Sequence, residues 1–145
     1  MAKTIIVLQG VGNAGKSTTI GMLLDLLIQV GWEEVEYLRG QRGNVNFAVI
    51  LKHGKTKMGI CTWGDNIAQL NPYLPRFSQE QCKLIVCAMR TRGGTVEYVE
   101  SFAKTNGFVL DRIPKNRTDD PANYKKENCK VAKQINQLIE KEISE

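Results

Sequence analysis

A chain of 145 residues, 42% apolar and 24% charged, suits one domain, 1–145, near the commonest domain size. Its net charge of +5 and pI near 9.1 favour anionic ligands, without the charge runs of a nucleic-acid tail. The longest apolar runs, Ile5 to Leu8 and Leu84 to Met89, fall well short of the ~18 residues that cross a bilayer, and the start lacks the long apolar segment and cleavage site of a secretory signal, so a cytoplasmic protein without a membrane span is expected.

Thr4 to Leu8 is a short, β-branched, continuously apolar run, the pattern of a strand buried on both faces of a parallel sheet. From Gly15 to about Val30, Ile20, Leu23, Leu24, Leu27 and Ile28 recur at spacings of three and four, which predicts a buried helix stopped by Gly31. Val35 to Leu38 reads as a second short strand. Phe47 to Leu51 and Met58 to Cys61 flank the polar stretch Lys52–Lys57 and predict a β-hairpin. Gly64, Asn71, Pro72 and Pro75 then leave room only for a short helix around Asn66 to Leu70. Lys83 to Met89 is a second buried strand. Thr95 is placed to cap a helix carrying Val96, Val99, Phe102 and Ala103, closed by Asn106-Gly107 ahead of the short strand Phe108–Leu110. Asp120-Pro121 gives a cap and a first-turn proline to a terminal helix whose stripe of Val131, Ile135, Leu138, Ile139 and Ile143 should pack on the sheet. Cys61, Cys82, Cys87 and Cys129 form no CxxC pair, and with His53 the only histidine, reduced and mostly buried thiols are expected.

The chemistry lies between the first strand and the first helix. Gly10-Val11-Gly12-Asn13-Ala14-Gly15-Lys16-Ser17-Thr18 meets the phosphate-loop pattern GxxxxGK[ST] in the strand-to-helix context that the pattern needs. Glycine at 10, 12 and 15 permits positive φ and lets main-chain N–H groups approach phosphate oxygens. Lys16 adds a mobile cation for the β- and γ-phosphates, the Ser17 hydroxyl is suited to Mg²⁺, and Thr18 to the α-phosphate. A second Gly-Lys-Thr at Gly54–Thr56 lacks the upstream glycine, since position 49 is Val49, and reads as a hairpin turn.

On these residues the chain resembles the P-loop NTPase superfamily, over Thr4 to about Val30. The resemblance implies ATP or another nucleoside triphosphate, Mg²⁺, and a three-layer α/β/α sandwich with a mainly parallel sheet, here with an added β-hairpin. It also implies an acidic residue at the end of a neighbouring strand, on the metal side. Asp65, after Gly59–Gly64, and Asp111, after Phe108–Leu110, both qualify; the glycine beside Asp65 and its earlier strand favour Asp65. Each has a plainer reading, a helix cap for Asp65 and a turn or an ion pair with Arg112 for Asp111.

Arg90 and Arg92 follow a buried strand in a Gly-rich loop and look like the lid arginines of small nucleotide and metabolite kinases, where they would act on phosphate in transfer; a solvated surface pair is the plainer reading. Lys52, Lys55 and Lys57 crowd the hairpin with His53; they suit an acidic partner, a second substrate or nucleic acid, but lysines that discourage pairing along an exposed strand edge are the preferred reading. The Trp and Tyr side chains are assigned to packing. No NKxD element for guanine is present, Lys115-Asn116-Arg117 being only superficially similar, which leaves ATP by elimination. Three functions follow: a Mg-dependent phosphotransferase acting on a small acceptor, with Lys16, Arg90 and Arg92 as its catalytic residues; an ATPase or nucleotide-dependent switch acting on a protein or nucleic-acid partner; and a binding module without turnover.

Overall fold

The structure, a computed structural model, describes residues 2–11, 14–116 and 120–144. Its elements in order are β1 (Thr4–Gln9), α1 (Lys16–Gln29), β2 (Glu33–Arg39), β3 (Ala48–His53), β4 (Thr56–Cys61), α2 (Ile67–Leu70), α3 (Leu74–Gln79), β5 (Leu84–Met89), α4 (Gly94–Asn106), β6 (Val109–Pro114) and α5 (Pro121–Ile143). They build an α/β fold on one six-stranded mixed sheet, ordered β2-β3-β4-β5-β1-β6. β4, β5, β1 and β6 run parallel, whereas β2, β3 and β4 pair antiparallel.

Strand periodicity divides the core into two. Ile6 and Leu8 of β1 point to a layer shared with Ile20, Leu23 and Leu27 of α1 and with Val131, Ile135 and Ile139 of α5. Ile5 and Val7 point to the opposite layer, against Leu70 of α2, Phe77 of α3 and Val99 of α4. Because both faces of β1 and β5 are covered, these strands are apolar without alternation. Each such aliphatic side chain contributes about 1.5–3 kcal/mol by leaving water. No helix among the described residues is long and apolar enough to cross a membrane.

Four expectations change. The section after Asn71 holds α3 as well as α2, because Pro75 occupies the first turn, where a missing N–H is harmless. Thr95 does not cap α4: Gly93 precedes the helix, and the Thr95 hydroxyl accepts the Arg90 main-chain N–H at 3.1 Å. The hairpin is no appendage, since β3 and β4 lie inside the sheet, joined at Gly54 (φ 61°). Its lysines therefore protect no strand edge; the edges belong to β6 and to β2, which carries Glu33, Glu34 and Glu36 and two register shifts. Finally, β6 runs on to Pro114 beside β1, which leaves Asp111 in mid-strand opposite Ile6 rather than at a strand end.

The terminal helix starts as its sequence dictates, with the Asp120 carboxylate accepting the Ala122 N–H at 2.9 Å. Gly107 closes α4 at φ 74°, where a Cβ would be strained. Cys61, Cys82 and Cys87 are buried free thiols and Cys129 is half-buried.

Candidate functional site

β1, β4 and β5 end on the same edge of the sheet, the edge where ligands bind in open parallel sheets. There Gly10 donates its N–H to the Met89 carbonyl at 3.1 Å, tying the exit of β1 to that of β5. Gly10 does not take a positive φ, contrary to the reading of all three loop glycines; a Cβ there would instead collide with the main-chain oxygen of Lys115. Gly15 does take one, at φ 84° and ψ 21°, and starts α1 with no side-chain cap. Gly12 and Asn13 lie outside the described residues.

An uncapped start leaves the N–H groups of Lys16, Ser17 and Thr18 without intrahelical acceptors, since the first bond of the helix runs from Thr19 N–H to the Gly15 carbonyl at 2.9 Å. No acidic side chain occupies the first turn. The positive end of the helix dipole and these donors face out from the same helix start. They open on a cavity of about 320 Å³ walled by the Ala14–Thr18 segment, Val45, Asn46, the Thr62–Asp65 segment, Gln69 and Tyr124.

Lys16 is 7% exposed and folds back on the loop, its Nζ donating to the Gly10 carbonyl at 2.6 Å and to the Met89 carbonyl at 3.3 Å. Burial pushes its pKa down, opposed by the Asp65 charge and helped by that of Arg90. Asp65 lies 3.8 Å from Lys16 Nζ and 3.1 Å from Arg90 Nε, so one carboxylate answers two cations. Ser17 Oγ donates toward the Thr62 carbonyl at 3.3 Å and Asn46 Oδ1 at 3.4 Å. A Cβ on Gly64 would strike the Ala88 carbonyl, so glycine there lets the chain cross β5 and deliver Asp65.

The structure thus brings Lys16, Ser17, Thr18, Asp65 and Arg90 together and leaves Asp111 on β6, away from the cavity wall. Arg92 stands farther along, on a second cavity of about 500 Å³ that shares Asp65 with the first. Two groups of wall residues were not singled out in the sequence. Asn46 and Thr62 are held together by the hairpin register Ala48–Cys61, which the hairpin prediction already contained. Trp63 and Tyr124, assigned to packing, line the cavity, and α5 presses on the loop: a Cβ at Gly15 would lie 2.7 Å from Asn128 Oδ1 and 3.2 Å from the Tyr124 hydroxyl. Nothing in the periodicity of α5 marks that contact, because Asn128 sits in a polar stretch of the helix.

The arrangement defines an α/β protein whose first helix opens, without a side-chain cap, on a cavity at the carboxyl edge of its parallel strands. Comparison with family models, with curated proteins and with solved structures finds no match.

Proposed function

We propose that the chain is a P-loop NTPase-type protein that binds ATP with Mg²⁺ and transfers its terminal phosphoryl group to a small acceptor. One observation carries the reading: uncapped N–H groups at the start of α1, a left-handed Gly15 and the Lys16 ammonium converge on one cavity at the ends of parallel strands. A triphosphate tail would take over from Asp65 as the counter-ion of Lys16.

The donors present also fit Mg²⁺. Among the described residues no group of three or more His, Cys, Asp or Glu could hold a metal alone. Mg²⁺ asks for less, keeping several waters and taking one or two protein oxygens beside those of the phosphates. Ser17 and Asp65, both on the cavity wall, would hold it; when bound, it neutralises charge on the β- and γ-oxygens. In the transfer, an acceptor oxygen bonds to the terminal phosphorus as that atom's bond to the bridging oxygen breaks, the electron pair leaves with ADP, and the acceptor's proton passes to solvent. Arg90, held on Asp65 at 3.1 Å, would supply the guanidinium that neutralises charge on the group in transfer.

ATP consumption measured with and without small acceptors, nucleosides, nucleotides and DNA tests the reading. Acceptor-dependent consumption is expected, and Lys16→Ala should weaken ATP binding more than tenfold; unchanged affinity and rate in that variant would overturn it. A second reading, an ATPase or switch with a protein or nucleic-acid partner, is favoured by the exposed Lys52 and Lys55. They cluster at the hairpin turn, at the end of the sheet opposite the cavity, where a bound partner would not meet the phosphates. DNA-stimulated or partner-stimulated hydrolysis without acceptor dependence would select it.

A further inference from the structure

The second cavity, about 500 Å³, lies between the start of α2 and the start of α4, and meets the first at Asp65. Its charges are unequally committed. Arg90 is engaged, with Nε on Asp65 at 3.1 Å and its main-chain N–H on Thr95 Oγ1 at 3.1 Å. Arg92 lines the same cavity and has no ionic or hydrogen-bond partner among the described residues. Beside it α4 opens at Gly93 without a side-chain cap, so the N–H groups of Gly94 and Thr95 carry no intrahelical acceptor. The acid of that first turn, Glu97, is not on the cavity wall. On the opposite wall, Ile67 and Ala68 follow Asp65 and Asn66, and Ile67 is still 44% exposed although it is a large aliphatic side chain. A Cβ on Gly94 would come within 3.3 Å of Ile67 Cδ1, so the glycine keeps the two walls apart.

We propose that this cavity seats the second substrate, a small organic molecule whose phosphate or carboxylate is held by Arg92 and the open start of α4, and whose apolar or ring portion rests on Ile67. A free guanidinium beside uncapped N–H groups selects a planar or tetrahedral oxyanion. The exposed aliphatic wall selects a body that gains by leaving water. Asp65, common to both cavities, then lies between the acceptor and the triphosphate tail. The inference rests on the nucleotide reading above, and it deepens that reading by giving the acceptor's chemical class and by moving Arg92 from the transferred phosphate to the acceptor.

The test pairs anionic probes with their uncharged counterparts on the whole chain: glycerol 3-phosphate and glycerate against glycerol, and AMP against adenosine. Calorimetry reads their binding without ATP, and ATP consumption reads their use. At least one anionic probe should bind more than tenfold tighter than its counterpart and raise ATP consumption. Arg92→Ala should raise KM for that probe at least tenfold with KM for ATP unchanged, and Arg92→Lys should recover part of the loss. Ile67→Trp, at an exposed position, should block the probe and leave the melting temperature near wild type. Equal binding of charged and uncharged probes, or parallel loss of probe and ATP in a folded Arg92→Ala protein, overturns the proposal. ATP binding that persists while every anionic probe fails removes this inference alone. Absence of ATP binding in the wild type removes the nucleotide reading, and the calorimetric comparison still decides whether the second cavity takes anions.

Discussion

Lys16 combines burial with charge, and that makes it costly in the folded chain without ligand. Its pKa is held below the ordinary 10.5 chiefly by loss of hydration. Between the lowered value and 10.5 the unfolded chain binds more protons than the folded one, so stability should rise with pH through that alkaline window and lose the gain below it. Lys16→Met, which keeps the stem and drops the charge, should flatten this rise in urea unfolding measured against pH. The same variant should match or exceed wild-type stability near neutrality, to within about 1 kcal/mol, while nucleotide binding is lost. A variant destabilised by several kcal/mol would show that the bonds to Gly10 and Met89 outweigh the burial of charge. Asp65→Asn should raise the Mg²⁺ concentration needed for half-maximal turnover, and Asp111→Asn, in mid-strand on β6, should leave it unchanged; titration of Mg²⁺ against rate separates them.

Elements position these residues through contacts that no short motif contains. Gly10 and Gly15 match one pattern for different reasons, the first through the Lys115 carbonyl at the end of β6 and the second through its left-handed backbone and Asn128 of α5. Gly15→Ala should therefore cost about 1–2 kcal/mol in backbone strain alone, and both Gly15→Ala and Gly10→Ala should lower the melting temperature; thermal unfolding monitored by far-ultraviolet circular dichroism reads this directly. Strands buried on both faces and helices with a plain three-to-four stripe were legible in the sequence, since their periodicity and the burial it produces are one property. The first-turn proline of α3 and the mid-strand position of Asp111 were not, because a proline within a helix start and an acid within an edge strand look locally like breaks. The motif marked by residue type the loop and helix start that wall the cavity, whereas Asn46, Thr62 and Tyr124 reach that cavity only through hairpin register and α5 packing.

Of the two apolar layers on the sheet, the one that faces α2, α3 and α4 buries Cys61, Cys82 and Cys87. Loss of hydration raises all three thiols, Cys61 and Cys82 to about 12, so each is protonated and unreactive at neutral pH. A chromogenic disulfide reagent should react with one thiol per native chain, Cys129, and with all four after denaturation. The slow thiols should then follow the rate of global opening, and a second fast thiol would mean that one layer loosens independently of the other.

The 23-residue α5 is about 35 Å long, with Tyr124 and Asn128 against Gly15 near its start and, near its end, Glu142, whose carboxylate accepts the Thr4 hydroxyl at 3.4 Å. The Asn128 amide is fully buried with no hydrogen-bond partner among the described residues, so it stands ready to bond to any main-chain group that an incoming anion reorients. The helix thereby ties the loop before α1 to the origin of the strand that feeds that loop, through a stripe that Val131, Ile135 and Ile139 anchor in the core. A fluorophore attached near Lys141 should register the filling of the cradle from the far side of the molecule, without touching anything bound there.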